Sequence, residues 1–501
     1  MVTATNKKAV RVTPQRPAAS HHVIVLMNRL FSMDQGFPEW LEAQQGRRYE
    51  LHERHLNPAF VKMLRTIGFD KNYVRGEGAW LFDSEGRRYL DLLTGWGVFA
   101  LGRNHPRVRS ILEHVLSRDL PNLVRMDCPL LAGLVAEKLT QHACGDSGLD
   151  LTRVFFCNSG AESVEAAIKF ARCYTRKPKI LFCDHAFHGL TVGALSLNGS
   201  SFFRERFGNL MPDTLQVPFN DLAALEQALH GSDVAAFVVE PVQGKTCAVA
   251  ADGYLVEAAR LCRRAGALLV VDEVQCGLGR TGKWFAYQHW PEVAPDIVCV
   301  AKALSGGYVP VGAVIAAPRI MDAVFDSMEH CVVHSNTFGQ NDLAMAAALA
   351  TLLVMEEERI PARAAQLGVK VMSRLAEIGR SCPFVFEVRG KGMMFGIDFQ
   401  RPASLKLRAA WDALHLLNEG VFSQTVIMPL LHEHRILAQV AGYHTELIKF
   451  LPPLNIAEED LDYFLTAMQK VLTGLQHVRE NAWGTVRSLA KSAAAQLVRQ
   501  V

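Results

Sequence analysis

Between residues 150 and 316 the chain alternates short apolar runs with amphipathic ones. The apolar runs are Arg153–Cys157, Lys179–Cys183, Val234–Val239, Leu268–Val271 and Ile297–Val300. They are rich in β-branched residues and lack a polar face, the pattern of strands buried on both sides. Between them, apolar residues recur at helical spacing over 161–175, 221–230 and 253–266. Such alternation predicts an α/β fold with a mostly parallel, doubly wound central sheet.

The flanks read differently. Residues 25–70 carry helical spacing without a chemical motif. From Arg75 to Asp91, two short strands surround the turn Asp83-Ser84-Glu85-Gly86 and predict a hairpin. Loops at Gly95–Gly97 and Gly102–Pro106 lead into a helix near 107–118. Beyond 340, helical spacing over Leu343–Glu357 and 360–379 precedes hairpin strands within Val388–Phe399. The expected organisation is a disordered leader over 1–25, the first part of a small domain over 26–106, and a large domain over 107–340. The α+β small domain is completed by 341–475, and an amphipathic helical tail follows over 476–501.

Composition narrows the function. The 501 residues carry a net charge of only +3, too little for a charge-driven nucleic-acid partner. Eleven cysteines are scattered, and none forms a C-x-x-C pair. That usage fits reduced thiols in a cytoplasmic protein, and no metal site is expected. No run of 18 apolar residues occurs, so no membrane-spanning helix is predicted.

The chemistry gathers where strands end. The run Leu268–Val271 delivers Asp272, and Ile297–Val300 leads to Lys302. Ligands of open α/β sheets lie beyond the carboxyl ends of strands. There a carboxylate can keep a pyridine nitrogen protonated while a lysine amine forms a Schiff base. Either strand alone could simply end in a solvated charge. Asn158-Ser159-Gly160-Ala161-Glu162 opens a helix; Ser159 and Glu162 fit a capping box, and Gly160 and Ala161 expose N–H groups at its positive end, where a phosphate binds. Phe187-His188-Gly189 offers an aromatic ring to a planar ligand. Glu240-Pro241-Val242-Gln243-Gly244 ends another apolar strand.

These motifs, with Asp272 to Gly282, Ala301 to Gly307 and Thr337-Phe338-Gly339-Gln340-Asn341, resemble in order and spacing the class-III, ornithine aminotransferase-like pyridoxal-phosphate enzymes. The likeness runs from about residue 72 to 460 and includes Arg75-Gly-Glu-Gly78, Asn104-His-Pro106 and Pro452-Pro-Leu454. Within the family the chain looks most like the subgroup that includes hopanoid-pathway aminotransferases. The resemblance implies fold type I and pyridoxal 5'-phosphate as cofactor. It makes Lys302 the Schiff-base residue and proton shuttle, and Asp272 the partner of the ring nitrogen. Ser159, Gly160, Ala161, Phe187, His188, Glu240, Val274 and Gln275 would line the cofactor, with Gln275 near its phenolic oxygen. Thr337 would reach the phosphate of a neighbouring subunit, implying a homodimer with shared active sites.

Three features depart from ornithine-type members. Lys245 stands where those enzymes have a glutamate, and Lys449 where they have its partner arginine. Two lysines cannot form that gate, although Lys449 could hold a carboxylate as a point charge. Trp96 replaces a tyrosine at the substrate's distal end. A bulky or lipophilic amine, or the matching aldehyde, is therefore expected in place of free ornithine. Glutamate/2-oxoglutarate or alanine/pyruvate would exchange with it by a ping-pong mechanism. Decarboxylase, aminomutase, racemase or lyase chemistry is the alternative within the class. The tail has apolar residues at helical spacing, with Arg487, Lys491 and Arg499 as its charges. It suits packing on the protein's own surface or a weak membrane-surface contact.

Overall fold

The computed structural model describes residues 36–124, 126–145, 147–415, 420–442 and 445–475. The leader over 1–25 and the tail over 476–501 lie outside the described residues. The chain divides into two compact units, one ending at Arg65 and the other beginning at Thr66. The first holds the helices Phe37–Gln44 and Arg48–His55.

In the second unit the strands form three sheets among the described residues. The first strands are β1 (Tyr73–Glu77), β2 (Trp80–Asp83) and β3 (Arg88–Asp91). The central strands are β4 (Arg153–Cys157), β5 (Lys179–Cys183), β6 (Thr214–Val217), β7 (Val234–Val239), β8 (Leu268–Asp272), β9 (Ile297–Val300) and β10 (Gly312–Ala316). They make a seven-stranded sheet in the order β4-β10-β9-β8-β7-β5-β6. Pairing is parallel from β6 through β9, whereas β10 runs antiparallel to both β9 and β4.

Every residue of β7, β8, β9 and β10 is buried. That explains their unbroken apolar sequences, because helices cover both faces and no polar edge is left. The five expected strands form, and β8 runs one residue further to take in Asp272. The intervening helices are Gly160–Thr175, Leu222–Leu229 and Tyr254–Ala265.

Segments from both ends of the unit build the two smaller sheets. Strands β11 (Val385–Lys391) and β12 (Met394–Phe399) form the expected hairpin, followed by β13 (Ile436–Leu437), β14 (Gln439–Val440) and β15 (Leu447–Phe450). One sheet has the order β1-β2-β3-β13, the other β11-β12-β15-β14. Gln439 of β14 lies directly opposite Lys449 of β15.

Candidate active site

The carboxyl ends of β4, β8 and β9 open on a cavity of about 390 Å³. Ser159, Gly160 and Ala161 line one end, and Phe187, His188, Asp272, Val274 and Lys302 line the rest. The helix Gly160–Thr175 starts there because Ser159 caps it, its Oγ accepting the Glu162 N–H at 3.2 Å. The second half of the expected capping box is displaced by one residue. Glu162 Oε2 accepts the backbone N–H of Asn158, rather than that of Ser159, at 2.5 Å. The N–H groups of Gly160 and Ala161 make no hydrogen bond within the described chain, which leaves two donors at the positive end of the helix. Gly160 is required by close packing: a Cβ there would come within 2.7 Å of Val274 Cγ1.

Asp272 ends β8 and is buried. Its Oδ1 accepts the Val274 N–H at 2.9 Å, and Oδ2 lies 2.7 Å from His188 Nδ1. Burial alone would lower the pKa of His188. The hydrogen bond to Asp272 and the charges of Asp272 and Glu240 outweigh it, and the net direction is upward. The neighbouring Glu273 points elsewhere: it accepts the N–H groups of Ala286 and Tyr287, and burial pushes its pKa up to about 7.

Lys302 has a left-handed backbone, with φ of 36°. Such a conformation costs a β-carbon residue about 1 kcal/mol, and strain of this kind concentrates at functional sites. The amine makes no hydrogen bond among the described residues. Desolvation lowers its pKa, against the opposing charges of Asp272 and Glu240. A depressed amine pKa is what a nucleophile and proton carrier requires near neutral pH.

A second layer of the site centres on Glu240. Its Oε1 accepts the Gly244 N–H at 2.8 Å and its Oε2 accepts the Phe187 N–H at 3.1 Å, so the loops carrying these residues are tied together. Burial raises the pKa of Glu240. Lys245 Nζ lies 4.5 Å from the centre of the Phe187 ring and 4.9 Å from that of Phe203. Lys449 is buried, and its Nζ donates to Gly244 O at 2.5 Å and to Gln275 Oε1 at 3.1 Å. Desolvation lowers the Lys449 pKa to about 8, with Lys245 and Lys302 adding like-charge repulsion. Lys245 and Lys449 are thus seated separately, one over two aromatic rings and the other on a carbonyl and an amide oxygen. Gln275 Nε2 in turn donates to Trp96 O at 3.0 Å. Trp96 is 61% exposed and Thr337 is also exposed on this chain, and neither is among the residues lining the cavity.

Asn158, Ser305 and Gly307 belong to the motifs without a role assigned to them, and Val98 and Tyr308 are wall residues outside those motifs. Ser305 and Gly307 follow Lys302 within its own motif, so proximity in sequence was the available signal. Val98 offered none.

A model of the aminotransferase class-III family matches residues 67–472. The chain belongs to the class-III aminotransferases. Aminotransferase PigE of Serratia sp. (strain ATCC 39006) is 32% identical over 470 residues, covering 87% of this chain and 54% of that protein. The chain therefore spans about half the length of this curated relative. A structure of the ornithine aminotransferase from Toxoplasma gondii, with PLP at partial occupancy in its active site, superposes with a TM-score of 0.72. That protein is 27% identical, with 92% of this chain and 100% of the other covered. A thermostable omega transaminase engineered for asymmetric synthesis of enantiopure bulky amines gives a TM-score of 0.72 at 26% identity, covering 81% and 93% of the two chains.

Class-III aminotransferases are pyridoxal-phosphate enzymes of fold type I, and the residues of this cavity fit that cofactor. The free N–H groups of Gly160 and Ala161 suit its phosphate, the Asp272 carboxylate its ring nitrogen, and the unpartnered Lys302 amine its aldehyde.

Proposed function

We propose that this protein transfers an amino group between a bulky or lipophilic amine, or the matching aldehyde, and a small keto or amino acid. The observation that carries this reading is the meeting of Asp272, Lys302 and the Gly160 helix terminus in one cavity whose substrate side lacks the glutamate–arginine gate. When bound, pyridoxal phosphate supplies an aldehyde that condenses with amines and a protonated ring that withdraws electrons. Asp272 keeps the proton on that ring nitrogen, held in place by His188 and the Val274 N–H. Lys302 Nζ takes up and returns the proton of the substrate's amine-bearing carbon. Lys245, and the third hydrogen of the Lys449 ammonium, provide charge for the carboxylate of glutamate, 2-oxoglutarate, alanine or pyruvate. Trp96, Phe187 and Phe203 give the amine an aromatic surround.

Exposed Thr337 supports a homodimer in which each subunit completes the other's phosphate site. All eleven cysteines are free thiols, which supports a reducing, cytoplasmic setting. No helix among the described residues is long and apolar enough to cross a membrane.

Visible absorbance of the purified holoenzyme before and after L-glutamate or L-alanine tests the reading. The expected result is loss of the bound cofactor's visible band, restored by a keto acid or a lipophilic aldehyde. A band that no amine changes overturns it. Turnover without any need for an amino acceptor would favour the decarboxylase, aminomutase, racemase or lyase alternative.

A further inference from the structure

Trp96 is held at both its backbone and its ring. Its carbonyl accepts Gln275 Nε2 at 3.0 Å, and its indole Nε1 donates to Gln439 Oε1 at 2.8 Å. Gln275 is not free to choose its orientation. Lys449 Nζ has only donors to offer, so the carbonyl end of the Gln275 amide must face it, and the NH₂ end is turned to Trp96. Lys449 is fixed in its turn by Gly244 O and by its place in β15. Gln439 is the residue opposite Lys449 across the β14–β15 ladder. The path therefore closes on itself: Lys449 to Gln275, to the Trp96 backbone, through the indole to Gln439, and across the ladder to Lys449.

The segment gripped in this way needs gripping. Gly95 and Trp96 both have left-handed backbones, at φ 62°, ψ 40° and φ 62°, ψ 36°. Glycine accepts that conformation readily and tryptophan does not. The Trp96 ring is largely exposed, so packing within this chain does little to fix its rotamer.

We propose that Gln439 and Lys449 form a two-point clamp that fixes Trp96 beside the cavity, two residues before the wall residue Val98, and so limits the bulk of the amine the site accepts. Both are positioning residues. Gln439 acts on the indole directly, and Lys449 acts through Gln275, in addition to any charge it lends a carboxylate. The inference rests on the aminotransferase reading for its substrate consequence, while the clamp itself is independent of it.

Three variants of the holoenzyme test the clamp. Q439L removes the acceptor at similar size, Q439E keeps an acceptor for the indole, and K449M keeps the stem of the lysine but removes its donors. Hydrogen exchange of the peptide spanning 92–99 reads the clamp without turnover. The ratio of kcat/KM for 1-adamantanemethylamine to that for propylamine, with pyruvate as acceptor, reads its effect on specificity. Q439L and K449M are expected to speed exchange in that peptide and to shift the ratio toward 1-adamantanemethylamine, each by about tenfold, through KM more than kcat, as for loss of one hydrogen bond. Q439E should return both readouts to wild type. Unchanged exchange and an unchanged ratio in Q439L overturn the proposal, as does Q439E behaving like Q439L. If K449M does not fold, the Q439L and Q439E pair decides alone. A wild type that transfers neither amine would instead tell against the functional reading, and exchange would still decide the clamp.

Discussion

His188 Nδ1 lies 2.7 Å from Asp272 Oδ2, with both side chains buried at the carboxyl end of β8. A buried carboxylate bound on one oxygen by a ring nitrogen and on the other by a backbone N–H cannot rotate. It can face a pyridine nitrogen without reorganising, and orientation of this kind is where much of an enzyme's electrostatic advantage lies.

That pair makes stability depend on pH. The folded pKa of His188 is raised above its unfolded value near 6.5. Its contribution is therefore fully present below about pH 6.5 and is lost as pH rises through the folded pKa. Urea unfolding of the wild type should show this loss on going from about pH 6 to about pH 9, whereas Asp272→Asn should flatten it. The same variant should lower kcat by about a thousandfold, because the ring nitrogen loses its anionic partner. His188→Gln should cost about tenfold, since it disturbs the orientation of the carboxylate but not its charge.

Gly160 and Val274 form a fitted contact at the helix-terminus end of the cavity. A methyl group at Gly160 would meet Val274 Cγ1 at 2.7 Å and Cγ2 at 3.0 Å. Gly160→Ala is expected to push the helix terminus outward and weaken cofactor binding by about ten- to a hundredfold. Val274→Ala in the same chain should recover most of that loss by vacating the space. Cofactor titration of the apoenzymes measures both, and a double variant no better than Gly160→Ala would refute the steric explanation.

A subunit-mixing experiment tests whether Lys302 and Thr337 act in one site across a dimer. Lys302→Ala should lower kcat by at least about a thousandfold, the scale of a lost nucleophile and proton carrier. Thr337→Val should weaken phosphate holding by about tenfold. If Thr337 serves the neighbouring subunit, a mixed dimer of the two variants contains one site with both residues intact. Mixing should then restore activity toward half that of wild type per dimer, measured after subunit exchange. Activity no greater than the sum of the parents would place Thr337 outside the neighbouring site.

That Asp272 and Lys302 meet in one cavity was legible in the sequence because a parallel sheet buried on both faces writes itself as apolar runs, and the residues that follow those runs gather at one edge of the sheet. Ser159 as a cap and Gly160 at the helix start were legible for the same local reason. Strand β10 was not. Gly312–Ala316 is as apolar as its neighbours, but nothing local shows that it returns antiparallel and inserts between β4 and β9.

The seats of Lys245, Lys449 and Trp96 were likewise beyond the sequence. The sequence marked Lys245 and Lys449 as departures from the ornithine-type pattern. Only the packed structure placed one ammonium over the Phe187 and Phe203 rings and tied the other to Gly244 and Gln275. Gln439, 343 positions from Trp96, belongs to no motif at all. By itself the sequence determined the five parallel-type strands and the helix cap, because each depends on burial pattern and short-range spacing, and the order of its motifs pointed to the cofactor. Tertiary structure alone decided which donor faces which acceptor around Trp96, because hydrogen bonds between distant segments are set by how the sheets and loops pack and leave no periodic trace along the chain.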